Sequence, residues 1–238
     1  MIEKKLKEIK DFCIKNSDLK IVEKYSRYFK EGYNGYGIDQ KIFEQQKDKW
    51  IESWNEEMTI EDYLELGERL VQSGKLEEIS LAVHFLVSQK EHYTPQVFDR
   101  IGHWFDIGIS NWANTDVLCM LVLPNFLTKK IITMEKLKEW NSASSEWKRR
   151  AVPVTLVEMT KKGIKTSQVI PLIEPLMLDK SEYVQKGIGT LLRELWKKYP
   201  TAVEQFLMKW KDTCGRLIIR YATEKMDKES RKRFRKSK

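Results

Sequence analysis

The chain has 238 residues, 41% hydrophobic and 33% charged, with a formal net charge of +8 and a sequence pI near 9.2. That composition suits a soluble protein with a sizeable core, and no apolar run approaches the length needed to cross a bilayer. Cys13, Cys119 and Cys214 are far apart with no CxxC pair, and His84, His92 and His103 lack ligand spacing. Together these exclude a disulfide framework and a structural zinc, and fit a reducing cytoplasm. The N-terminal MIEKKLKEIK has no signal-peptide pattern. A basic balance of this size favours polyanionic partners, although net charge informs association and not fold.

In chain order, Ile2, Leu6, Ile9, Phe12 and Cys13 make an apolar stripe at helical spacing. Asn16-Ser17-Asp18 interrupts it and caps a second helix over 19–29. Gly32-Tyr33-Asn34-Gly35-Tyr36-Gly37 follows. Glycines can bring backbone amides close to a phosphate, but a P-loop lysine is missing, and a plain connector between helices is the competing reading. Helices are expected over 38–54, 59–72, 76–88 and 94–105, with Thr59-Ile60-Glu61-Asp62 and Thr94-Pro95-Gln96 as starts.

The stretch from Ile101 to Pro124, IGHWFDIGISNWANTDVLCMLVLP, is the centre of the chain. Between Asp106 and Lys129 its one formal charge is Asp116, four residues after Trp112. On a helix those two side chains stand one turn apart on the same face. Val117, Leu118, Leu121 and Val122 would be the buried side, with Ser110 or Asn111 as N-cap. A lone carboxylate beside an indole suits stabilisation of developing positive charge; an acid favoured by the helix dipole is the plainer reading.

The second half continues helix by helix, over 134–140, 146–162, 166–178, 181–198, 201–210 and 216–225. Glu146-Trp147-Lys148-Arg149-Arg150 opens one of them, and consecutive cations fan around a helix, so one or two at most can face a common ligand. Arg150 is the candidate phosphate clamp, through its planar guanidinium. Gly187 and Gly189 inside a helix cost about 1 kcal/mol each relative to alanine, so either a neighbouring helix or a nucleic-acid backbone comes close there. The segment KMDKESRKRFRKSK is either a frayed, solvated tail or a phosphate-binding arm. Strand alternation is nowhere convincing. The fold class is all-α: a HEAT-like α-solenoid of antiparallel helix pairs with a concave basic surface, as one domain over 1–225 and a basic tail over 226–238.

Asn111-Trp112-x-x-x-Asp116, Trp147-x-x-Arg150-Ala151 and Val184-Gln185-Lys186-x-Ile188-Gly189-x-x-Leu192-Arg193-Glu194 resemble the DNA alkylation repair glycosylases of the AlkD type, built from HEAT-like repeats. The Gly35-Tyr36-Gly37-Ile38 connector adds to the likeness, which runs from about Tyr28 to about Ala222. The resemblance implies a monomer that needs neither metal nor other cofactor and acts on duplex DNA carrying alkylated, positively charged purines. The glycosidic bond would break without the base entering a deep pocket. It also implies that Asp116 stabilises an oxocarbenium-like sugar, that Trp112 packs on the deoxyribose and that Arg150 contacts a phosphate. Trp147, Lys148, Arg149, Lys186 and Thr190 are grouped with Arg150 as the DNA-contacting set. Two positions depart from the pattern: Ala113 stands where an acid is common, and Thr190 where a second tryptophan is expected. Trp196 does not replace it, because six residues turn a helix by roughly 240° beyond a full turn. The alternatives are a non-catalytic DNA-binding relative and a HEAT-like protein-interaction scaffold.

Overall fold

The computed structural model describes residues 1–237, which divide into two units by their internal packing, Met1–Ile131 and 132–237. Each is helical throughout its regular structure.

The first unit contains α1 (Ile2–Lys15), α2 (Leu19–Ser26), α3 (Gln40–Trp54), α4 (Ile60–Gln72), α5 (Leu76–Ser88), α6 (Pro95–Ile107), α7 (Trp112–Leu121) and α8 (Leu123–Thr128). Their starts follow local chemistry. Thr59 and Asp62 form a reciprocal capping box on α4, Thr94 caps α6 ahead of Pro95, and Asn111 caps α7 by accepting from the Asn114 amide. Helix α4 packs against α1, α5 and α6, while α5 also meets α3 and α7. Tyr63, Phe85, Phe98, Trp104 and Phe126 are fully enclosed between them. Burying one such ring is worth roughly 1.5–3 kcal/mol, so these side chains, more than helix propensity, hold the unit together.

Three boundaries differ from the sequence expectation. Helix α2 stops at Ser26 rather than continuing to Phe29. The central helix ends at Leu121, because Pro124 has no N–H to continue the ladder and a new short helix begins at Leu123. The helix expected to run to Leu178 is α-helical only to Ile173, then tightens into a 3-10 turn over Glu174–Leu178 that contains Pro175.

The second unit contains α9 (Met134–Lys138), α10 (Glu146–Lys161), α11 (Thr166–Ile173), α12 (Glu182–Trp196), α13 (Pro200–Trp210), α14 (Arg216–Ala222) and α15 (Lys228–Lys232). Helix α12 lies between α10 and α14 and turns Val184, Ile188, Leu191, Leu192 and Leu195 into the core. The two glycines on α12 are explained by these neighbours. A Cβ at Gly189 would stand 2.5 Å from the Tyr221 Cβ and 2.9 Å from the Ile218 carbonyl of α14. One at Gly187 would stand 3.2 Å from Pro153 of α10. Helix packing, not a nucleic-acid backbone, makes the close approach.

The basic C-terminal segment is not frayed. Phe234 is buried, Arg231 donates to the carbonyls of Met226 and Glu224, and Ser237 bonds Asp212 through its amide and hydroxyl. Among the described residues, no helix is long and apolar enough to cross a membrane.

Candidate functional site

Helix α7 carries Trp112 at its first position and Asp116 one turn later. The helix is rotated from the expected orientation. Leu118, Cys119 and Val122 are buried as apolar residues, but Leu121 is exposed and the inward face also takes Asn114 and Thr115. Both polar residues are satisfied: Asn114 Nδ2 donates to the Leu76 carbonyl at 3.1 Å, and Thr115 Oγ1 to the Asn111 carbonyl at 2.8 Å. This rotation leaves Trp112 and Asp116 half-buried, both on the accessible side of the helix.

Trp112 is held from across the unit. Phe29 stacks on its indole at 5.3 Å between centroids and 21° between planes, and the indole N–H donates to the Tyr28 carbonyl at 3.4 Å. Phe29 meets Tyr33 edge to face at 5.2 Å. Tyr25, Tyr28, Phe29, Tyr33, Leu76 and Trp112 line a pocket of about 420 Å³. Lys24 lies 5.5 Å over the Tyr25 ring and Arg27 5.1 Å over the Tyr28 ring.

The glycine-rich connector does not bind a phosphate with its amides. Those amides already face Glu77, whose carboxylate accepts from Tyr36 N at 2.9 Å, from Gly37 N at 2.7 Å and from Ile38 N at 3.4 Å. The chain's own carboxylate fills the cradle. Gly37 takes φ 73°, and a Cβ there would collide with the Asp18 carbonyl oxygen and stand 2.8 Å from Val22, so only glycine fits. Tyr33 donates to the same Glu77 at 3.4 Å, and burial followed by that carboxylate pushes its hydroxyl pKa up, so it stays protonated.

In the second unit, the N-termini of α10 and α12 lie side by side. Ser145 caps the first and Ser181 the second, and the Ser181 hydroxyl also bonds Glu146. The three consecutive cations divide as their fan requires. Arg149 turns inward: Nε and Nη2 meet Asp179 at 2.6 and 3.3 Å, while Nη1 donates to the carbonyls of Ala143 and Ser144. Asp179 is nearly buried, its side chain 8% exposed. Arg150 Nη1 donates to the Tyr183 carbonyl at 2.6 Å, and Lys148 lies 5.8 Å over Trp140. Trp147 is buried against Tyr183, at 4.6 Å between ring centroids. Lys186 lies 5.1 Å over the other partner of that pair, Tyr183, and 3.4 Å from Glu182. Thr190 is half-buried one turn further along α12. Trp196 is engaged elsewhere, donating to Glu204 of α13 at 3.0 Å.

Sequence reasoning missed Tyr183, on which Trp147, Arg150 and Lys186 converge. Its signal was the three-residue spacing to Lys186, which puts both on one face of α12. It also missed the aromatic cluster before the connector, although Lys24-Tyr25-Ser26-Arg27-Tyr28-Phe29-Lys30 alternates rings with cations.

One protein family matches most of the chain: the DNA alkylation repair enzymes. The family model of that description matches residues 10–226, and the chain belongs to that family. Among solved structures, it is similar to "Predicted DNA alkylation repair enzyme" from Enterococcus faecalis, at 15% identity over 90% of this chain and 98% of that one, with a TM-score of 0.77. It is also similar to AlkD2 from Streptococcus mutans, at 20% identity over 87% of this chain and 98% of that one, with a TM-score of 0.59. A further structure from Streptococcus mutans UA159, smu.31, aligns at 20% identity over 79% and 95% of the two chains, with a TM-score of 0.59. No curated protein matches the chain.

Proposed function

We propose that this member of the DNA alkylation repair family is a DNA N-glycosylase acting on cationic N3- or N7-alkyl purines in duplex DNA. The observation that carries the reading is the pairing of Trp112 and Asp116 one turn apart on the accessible side of α7, with the indole locked by Phe29 and the Tyr28 carbonyl. An alkylated purine is already a good leaving group, so the protein's task is to stabilise the positive charge that develops on the sugar. The Asp116 carboxylate does this and orients the attacking water; the Trp112 indole packs on the deoxyribose and attracts the same charge through its π face. The water adds to the anomeric carbon as the bond to the purine nitrogen breaks, the electron pair leaves with the neutral base, and the added water gives up its proton to solvent.

Arg150, Lys148 and Lys186 contact phosphates at the paired starts of α10 and α12, where the helix dipoles add to their charge. Trp147 and Arg149 hold those starts in place, and Thr190 lies against the DNA-facing side of α12. A non-catalytic DNA-binding protein is the second reading, favoured by the threonine at 190 in place of a second tryptophan.

Release of 7-methylguanine from methylated duplex DNA separates the two. Loss of preorganised electrostatic stabilisation typically costs ~2.7–4 kcal/mol, so Asp116→Asn should slow release roughly a hundred- to thousandfold. Binding to undamaged duplex should be unchanged or slightly tighter, since a carboxylate near phosphates repels them. Absence of release by the parent protein would leave only the non-catalytic reading. Release at the parental rate by Asp116→Asn would remove the carboxylate from the mechanism.

A further inference from the structure

Two consecutive glutamates, Glu77 and Glu78, open α5, and both are buried, at 7% and 1% exposure. The first turn of a helix favours negative charge, which accounts for acids there but not for their burial. A carboxylate leaves water only where hydrogen bonds replace its hydration. Glu78 accepts from the Tyr36 hydroxyl at 2.6 Å. Glu77 takes four donors of the glycine-rich connector: Tyr36 N on Oε2, and Gly37 N, Ile38 N and the Tyr33 hydroxyl on Oε1. Only a group that accepts at both oxygens meets all four, since an amide in its place would turn its own N–H bonds toward at least one of them.

The same end of α5 reaches the Trp112 indole by two routes. Leu76 donates its N–H to the Asn34 carbonyl of the connector at 2.8 Å, and its own carbonyl accepts from Asn114, two residues after Trp112 on α7. Tyr33, whose hydroxyl meets Glu77, packs edge to face on Phe29 at 5.2 Å, and Phe29 stacks on Trp112 at 5.3 Å. We propose that Glu77 is a positioning residue for Trp112: by clamping the connector it fixes Tyr33, and with it the Phe29 face on which the indole stacks. The proposal rests on the glycosylase reading for what the indole then does, packing on the deoxyribose beside Asp116, but the link from Glu77 to the indole stands on these contacts alone. An indole set in advance loses little freedom when the sugar arrives. Placement matters at a reacting centre, where an error of about 1 Å can cost roughly a hundredfold in rate. The Tyr28 carbonyl also holds the indole N–H, so loss of Glu77 loosens the ring without releasing it, and an effect of about tenfold is expected.

Glu77→Gln tests this in the whole protein labelled with 5-fluorotryptophan, where the Trp112 fluorine signal is identified by its disappearance in Trp112→Phe. Glu78 keeps its hold on Tyr36, so the variant should retain the helical circular dichroism spectrum. The Trp112 signal should shift or broaden, while those of Trp147 and Trp210, in the other unit, stay in place. Single-turnover release of 7-methylguanine should fall about tenfold with duplex affinity unchanged. Phe29→Leu should move the same signal, and Glu77→Gln added to it should do little more, because both act through one wall. If Glu77→Gln does not fold, Tyr33→Phe cuts the same link from its other end, leaves the backbone bonds in place and should move the signal in the same direction. A Trp112 signal unmoved in the folded variant, full additivity of Glu77→Gln with Phe29→Leu, or a moved signal with release at the parental rate would each overturn the positioning role and leave the glycosylase reading intact. A moved signal in a protein that releases no 7-methylguanine upholds the positioning and removes the glycosylase.

Discussion

Arg149 and Arg150 are neighbours in sequence, yet their substitution should have opposite consequences. Arg149→Ala removes a two-point ion pair to Asp179 and two bonds to the carbonyls of Ala143 and Ser144. Breaking a buried pair from one side typically costs ~3–5 kcal/mol. Two observations lower that figure: Arg149 is 20% exposed, and Asp179 keeps the Ser181 amide at 2.8 Å. A loss of about 3 kcal/mol is therefore expected, which for a chain of this size lowers the melting temperature by roughly 6–12 °C. Duplex-DNA affinity, measured well below the transition, should stay within a factor of about three of the parent, since under 1 kcal/mol of binding is at stake. Arg150→Ala should cost only about 1 kcal/mol of stability for the lost bond to the Tyr183 carbonyl. It should weaken DNA binding across sequences and reduce the salt slope by about one phosphate contact. Thermal unfolding by circular dichroism and fluorescence anisotropy at several salt concentrations provide both readouts. Because Asp179 left without its arginine is the main cost, Asp179→Ala added to Arg149→Ala should cost less than the two singly. If Arg149→Ala were stable and as defective in DNA binding as Arg150→Ala, the division of labour between them would be wrong.

The two helix glycines should separate in the same way. Gly189→Ala pushes a methyl against the α14 backbone, and overpacking of about 1–3 kcal/mol outweighs the ~1 kcal/mol gained in helix propensity, whereas Gly187→Ala should stay within about 1 kcal/mol of the parent in urea unfolding. Equal losses would mean that α14 is not the constraint. His84 adds a pH dependence: burial and then Lys47 hold its pKa below the ordinary 6.5, against the pull of Glu44 and Asp48. The unfolded chain then binds a proton that the folded one resists, so the stability held above pH 6.5 is lost as pH falls toward the folded value. His84→Gln should flatten that slope in melting temperatures measured across the range, and an unchanged slope would assign it to other groups.

Features written in short-range chemistry were legible from the sequence. Thr59 with Asp62, Thr94 before Pro95, and Asn111 each announce a helix start within four residues, and each is observed. The spacing of Trp112 and Asp116 likewise fixed their shared face. What stayed hidden depends on partners distant in the chain. Gly37 finds its carboxylate in Glu77, 40 residues on, so whether the connector's amides were already taken could not be judged locally. Arg149 finds Asp179 30 residues on, and nothing in the run Lys148-Arg149-Arg150 distinguishes the inward cation from the others. The rotation of α7, with Leu121 out and Asn114 in, is likewise set by a carbonyl on another helix, that of Leu76.

The stitched C-terminal segment bears on how the protein meets its partner. A loose cationic arm sweeps a wide volume and can seize a polyanion before the body arrives. Here Phe234 is sunk into the second unit, Arg233 is paired with Glu204, Lys232 with Glu229, and Arg231 is bonded to backbone carbonyls. The charges of Arg231, Lys232 and Arg233 are thus held in internal pairs. Capture of DNA, as proposed above, would then depend on the long-range field of fixed charges, whose reach contracts with the Debye length, about 10 Å at 0.1 M salt, instead of on the span of a tether.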